Sequence, residues 1–123
     1  MASEVFSTKG VFSPNFSNAL SGGVRPRRVE ILQITGRDQE SRNAKFMGTR
    51  NMHNLGIEYN PSLYSSVYKG DMTVGSLDDV YRKLQGTKPE GYTGHSLSVS
   101  DLVKVDGSTY FVDEFGFKKI LKK

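Results

Sequence analysis

The stretch GYTGHSLSVSDLVKVDGSTYFVDEFGFKKI, residues 91–120, decides the fold. Two runs within it, SLSVSDLVKV and TYFVDEFGFKKI, are strand-like, and Asp106-Gly107 joins them. An Asp-Gly pair between such runs signals a hairpin, because a two-residue turn needs positive φ, which these residues tolerate. A C-terminal β-hairpin is therefore predicted. Ser96, Ser98 and Ser100 alternate with Leu97 and Val99, which predicts the two faces of one strand.

The same stretch carries side chains that do chemistry in other proteins. GHSLS at 94–98 approaches a nucleophile elbow, but Ser98 stands where the second glycine belongs, and the next residues alternate as a strand rather than opening a helix. His95 has only His53 as a fellow histidine, in a different segment, and zinc needs three or four ligands at defined spacing. Asp101 and Asp113 are candidates for paired carboxylates, although an Asp at that place also satisfies loop amides. GTKPEG lacks the spacing of a phosphate loop. No catalytic residues, no metal site and no cofactor are expected, and His95, Ser96, Ser98 and Asp101 are expected to hold the hairpin entry.

Upstream of the hairpin, SLDDVYRKLQG (76–86) is the clearest helix. Leu77, Val80, Tyr81 and Leu84 form one apolar stripe. Ser76 is placed to cap the first turn, with Asp79 reaching back to the Ser76 amide. Such a stripe must lie on a sheet. VEILQIT (29–35) has apolar residues on both faces and predicts a central strand; SLYSSVYKG (62–70) predicts another. Between them, GRDQES reads as a polar loop, Lys45–Met47 as a short strand, and residues 49–55 as a helix ended by Gly56 in a left-handed conformation. The fold class is α+β: a mixed or antiparallel sheet of four or five strands, with one or two helices packed on it.

Residues 1–24 are rich in Ser, Gly and Asn without a sustained period and are expected to form a mobile arm before a domain spanning 25–123. A hydrophobic content of 36% fits a chain that does not pack throughout. No run approaches the ~20 apolar residues that span a bilayer, and MASEVFSTKG lacks a basic start followed by an apolar core. The chain has no cysteine, which excludes disulfides and thiolate chemistry and fits a cytoplasmic location. Its net charge of +4 comes from Arg25, Arg27 and Arg28 and from Lys118, Lys119, Lys122 and Lys123.

GHSLSVSDLV followed by YFVDEFGF resembles the end of the YodL-like domain family. VEILQI, SSVYKGDM, SLDDVYRKL and KPEGYTGHSLSVSD fall upstream in the same order, so the resemblance covers about residues 28–120. It leaves out the N-terminal arm and is loose from Arg37 to Pro61. It implies an accessory domain of plasmids, conjugative elements and phages of Gram-positive bacteria, and carries no catalytic residues across. The function expected is that of a non-enzymatic interaction protein that disables a host defence component, a restriction or CRISPR protein or ribonucleoprotein. Phe6, Phe12 and Phe16 would anchor the partner; Arg25, Arg27, Arg28, Lys118 and Lys119 would steer it. The alternative is direct nucleic-acid binding through the basic arm and lysine tail, separable by its steeper salt dependence.

Overall fold

The computed structural model describes residues 11–86 and 88–121. Along this chain lie β1 (Phe12–Ser17), β2 (Arg25–Ile34), α1 (Gln39–Ala44), α2 (Thr49–Leu55), a 3-10 turn (Pro61–Leu63) and β3 (Tyr64–Val74). There follow α3 (Leu77–Lys83), β4 (Leu102–Val105), β5 (Ser108–Asp113) and β6 (Gly116–Ile120). The described strands make one antiparallel sheet in the order β1-β6-β5-β4-β2-β3.

The strand containing VEILQI is interior, as its two apolar faces predict, with β3 on one side and β4 on the other. Asp106 (φ 54) and Gly107 (φ 78) join β4 to β5, and positive φ at both central residues makes this the expected tight hairpin. The α+β class holds, but the sheet has six strands rather than four or five. Two strands account for the difference. The run TYFVDEFGFKKI is not one strand: it folds back at Glu114-Phe115 to give both β5 and β6. The other addition is β1.

Composition predicts a mobile arm over residues 1–24; over Phe12–Ser17 that expectation is corrected. This segment pairs with β6, with an irregular register between Phe12 and Phe16. Pro14 lies within that irregular stretch, and an edge strand tolerates a residue that donates no ladder hydrogen bond. Beyond it, Leu20 donates to the Gly75 carbonyl (3.0 Å) and is buried in the core. Residues 1–10 lie outside the described residues.

The core has two layers, one on each face of the sheet. On one face α3 packs Leu77, Val80 and Leu84 against Val29, Ile31, Val103 and Val105. Tyr81, half-buried, sets its ring edge-on to Phe117 at 6.4 Å. The Ser76 hydroxyl accepts from the Asp79 amide (3.1 Å), as predicted, but the Asp79 carboxylate accepts from the Gly75 amide (2.9 Å) and not from that of Ser76. On the other face Phe12, Leu102, Phe111 and Met52 form the second layer, flanked by Leu32, Tyr59, Tyr64 and Ile120.

Two local expectations fail between β2 and β3. GRDQES is not all loop: Asp38 caps α1 by accepting from the Ser41 amide (3.3 Å). Lys45–Met47 is a turn and not a strand. The helix over 49–55 is present, and Gly56 ends it at φ 70.

Candidate functional site

The residues singled out as partner contacts divide sharply on their surroundings. Phe6 lies outside the described residues, as do Lys122 and Lys123. Phe12 belongs to the core, its ring 4.8 Å from that of Phe111 and 5.9 Å from that of Tyr59. Arg27 is buried and committed. Its guanidinium donates to the carbonyls of Val74 (2.9 Å), Ser21 (2.8 Å) and Gly23 and pairs with Asp106. It thus ties the start of β2 to the end of β3 and to the β4–β5 turn, which corrects its placement in an exposed basic cluster. A buried charge persists only when so fully partnered.

Lys118 is mostly covered, with Nζ 3.9 Å from the Asp113 carboxylate and 5.0 Å from the centre of the Phe16 ring. Arg25 is exposed and 3.7 Å from Asp106; Arg28 is exposed and 3.5 Å from Asp71. Lys119 and Phe16 are exposed. The described basic groups are thus spread over β2 and β6.

The loop before β4 explains the polar residues of the opening stretch. Ser96, Ser98 and Ser100 do not share a strand face, because residues 95–101 are irregular and Ser100 sits at φ 84. Gln33, buried on β2, brackets the backbone of His95: its carboxamide oxygen accepts from the His95 amide (3.2 Å) and its nitrogen donates to the His95 carbonyl (2.8 Å). The same nitrogen donates to Asp101 (3.0 Å), whose carboxylate also accepts from the Ser98 amide (2.8 Å). The Tyr92 hydroxyl donates to the His95 carbonyl (2.7 Å), and that of Ser98 to the Ser96 carbonyl (2.9 Å). These hydrogen bonds fix the backbone of the loop before β4. Burial pushes the Asp101 carboxyl up to about 7 against the lowering effect of the Ser98 amide, His95 and Gln33. Burial also pushes the Tyr92 phenol up to about 12 and raises that of Tyr64, which donates to the Ser100 carbonyl at 2.6 Å. Among the described residues no three His, Asp or Glu side chains come together as metal ligands.

The start of α2 is built against the end of β5. The Asp113 carboxylate accepts from the Thr49 amide (2.9 Å) and from the Thr49 hydroxyl, and also from the Glu114 amide (2.9 Å). It therefore caps α2 from another element, since Gly48 at the N-cap has no side chain to do so. A Cβ on Gly48 would sit 2.7 Å from that carboxylate, so the close approach requires glycine.

Just before this junction lies Phe46. The Met47 amide donates to the Ala44 carbonyl (3.3 Å), and Lys45 sits at φ −63, ψ 132. That is a type II turn with Phe46 at the position that ordinarily demands glycine or asparagine. Phe46 occupies it at φ 62, held there by its amide donating to the Ser100 hydroxyl (2.9 Å). Its ring is not buried in exchange: the residue is 57% exposed, with the ring 5.3 Å from that of His95. Phe115, 83% exposed in the β5–β6 turn, lies one residue beyond Glu114, whose side chain would meet the same Cβ on Gly48. Phe16, 52% exposed, lies against Gly116 on the next strand. Three exposed phenylalanines thus border the α2–β5 junction.

The model of the YodL-like domain matches residues 28–122. The chain belongs to the YodL-like domain family. The YodL-like match begins within β2, so β1 and the Arg25–Arg27 segment add to the sheet from outside the matched region. No curated protein and no solved structure matches the chain. Within the YodL-like region, no described helix is long and apolar enough to cross a membrane. Sequence reasoning missed Gln33 and Phe46. Gln33 carried a usable signal, a lone amide inside an apolar central strand that must find partners when buried. Phe46 carried none, because a phenylalanine gives no sign that its backbone will be left-handed.

Proposed function

We propose that this YodL-like domain is a non-enzymatic interaction protein of a mobile genetic element, docking its Phe46 end onto a host defence protein or ribonucleoprotein. The observation that carries the reading is Phe46 itself, a bulky aromatic at φ 62 with its ring in solvent. Left-handed backbone at such a residue costs on the order of 1–3 kcal/mol and points to function when no packing gain accounts for it. Phe16 and Phe115 are further exposed aromatics, and aromatic anchors supply most of the energy at protein interfaces. The hydrogen bonds of Gln33, Ser98 and Asp101 support a non-enzymatic role, since they are spent on the loop backbone. That the partner is a defence component rests on the mobile-element association that the family resemblance implies.

The test is protection of incoming DNA in a host with an active restriction or CRISPR system. The native protein is expected to raise transformation efficiency, and Phe46→Gly, soluble and folded, is expected to lose that effect. Equal protection by both proteins would remove Phe46 from the interface. No protection by either would end the counter-defence reading.

A further inference from the structure

The face of the sheet that carries α2 is only half covered. Leu32, Leu102, Phe111 and Ile120 lie beneath or beside the second core layer. Further along the same face the side chains turn polar: Glu30 and Arg28 on β2, Lys69 on β3 and Lys104 on β4 are charged, and Thr109 on β5 is neutral. The backs of these strands are core, with Val29, Val103 and Val105 under α3. The result is a groove of about 950 Å³ between the β4–β5 turn and a wall containing Tyr59 and Pro61. It lies toward the opposite end of the strands from the β5–β6 turn and Phe115.

Charge in the groove is unbalanced. Arg28, Lys69, Lys104 and Lys119 line it against Glu30 and Asp106; Asp106 is already paired with the buried Arg27, and Arg28 lies 3.5 Å from Asp71 beside the groove. Glu30 sits between two amines, 3.9 Å from that of Lys69 and 3.9 Å from that of Lys104. Both lysine side chains remain more than half exposed, at 59% and 52%. Neighbouring strands are about 4.8 Å apart, so β3 and β4, one on each side of β2, hold these lysines about 10 Å apart at the backbone.

We propose that this groove binds the phosphodiester backbone of a single-stranded nucleic acid, with Lys69, Lys104 and Arg28 as phosphate contacts. The lining sets Arg28, Glu30, Lys69 and Lys104 beside the apolar Leu32, Leu102 and Ile120, and lysine and glutamate are residues that the centres of protein interfaces lack. A cationic groove with an aromatic at its wall is the arrangement by which sheet surfaces track single strands, phosphates on the cations and a base on the ring. Tyr59, half-buried with its ring 5.9 Å from that of Phe12, is the ring so placed. Glu30 opposes a phosphate and weakens the site, which gives the proposal a gain-of-function test. This site is separate from the Phe46 end and does not depend on it.

The experiment is fluorescence anisotropy of the purified chain with a labelled dodecameric oligouridylate, from about 50 to 200 mM KCl, the range over which phosphate binding weakens steeply. Binding is expected to fall with salt. Lys69→Glu with Lys104→Glu should weaken it at least about tenfold and flatten the logarithmic salt slope by roughly 0.7 for each phosphate no longer neutralised. Glu30→Gln should tighten it several-fold, which a folding defect cannot mimic, and Phe46→Gly should leave it unchanged. Three results would overturn the proposal: no anisotropy change at the lowest salt, binding untouched by the charge reversals and Glu30→Gln, or tighter binding of a poly-glutamate peptide of equal length.

Discussion

Asp101 holds a proton under conditions where an exposed aspartate has released it, and this has a measurable consequence. Its carboxyl lies near 7 in the folded protein because burial disfavours the charged form, against an ordinary value of 3.8. Between about pH 4 and pH 7 the folded chain therefore keeps a proton that the unfolded chain has lost. Linkage then requires this group's contribution to stability to be greatest below pH 4, to decline as pH rises, and to level off above about 7. Asp101→Asn keeps an oxygen to accept from the Ser98 amide but cannot ionise. The difference in unfolding free energy between native protein and variant is expected to shift in favour of the variant from pH 4 to pH 7.5. A difference that does not change with pH would mean that Asp101 ionises freely where it lies. The carboxylate's role at the hairpin entry was legible from the sequence, since Asp near a turn serves backbone amides. Its partner Gln33, 68 positions away, was not.

Among the helices and strands, legibility followed the strength of local signals. α3 carried a cap, a four-residue apolar stripe and charges suited to both ends of its dipole, and it formed where expected. The β4–β5 turn carried Asp-Gly. By contrast α1 buries only Ser41 and Ala44, so it offered a cap but no stripe to read. The break between β5 and β6 lay inside TYFVDEFGFKKI, where Glu and Phe at the centre of the turn masked the Asp113 and Gly116 that flank it. β1 was hidden by its composition, because Ser, Pro and Asn are tolerated on an edge strand and also typical of a tail. The partnership with β6 is set by Phe12, which docks on Phe111 across the second core layer. Phe12→Ala is therefore expected to lower unfolding free energy by about 3 kcal/mol in urea denaturation, the usual cost of emptying a buried phenylalanine site. An unchanged midpoint would put β1 outside the cooperative fold.

Across the domain, the two-layered sheet separates two surfaces of different chemistry. The apolar end around Phe46, Phe16 and Phe115 lies beside the start of α2, and the cationic groove lies toward the β4–β5 turn. A domain of this size has a net stability of about 5–15 kcal/mol. Phenylalanine at a glycine position of a type II turn uses a noticeable part of that for a ring left in solvent. If this strain serves binding and not folding, relieving it must not weaken the fold. Urea denaturation of Phe46→Gly makes that comparison. Glycine relieves the left-handed strain, of about 1–2 kcal/mol, and adds back about 0.5–1 kcal/mol of unfolded-chain entropy. The expected midpoint is therefore equal to or above that of the native protein, with an unchanged slope. A fall of about 2 kcal/mol or more, the range of core truncations, would show instead that the Phe46 ring supports the fold.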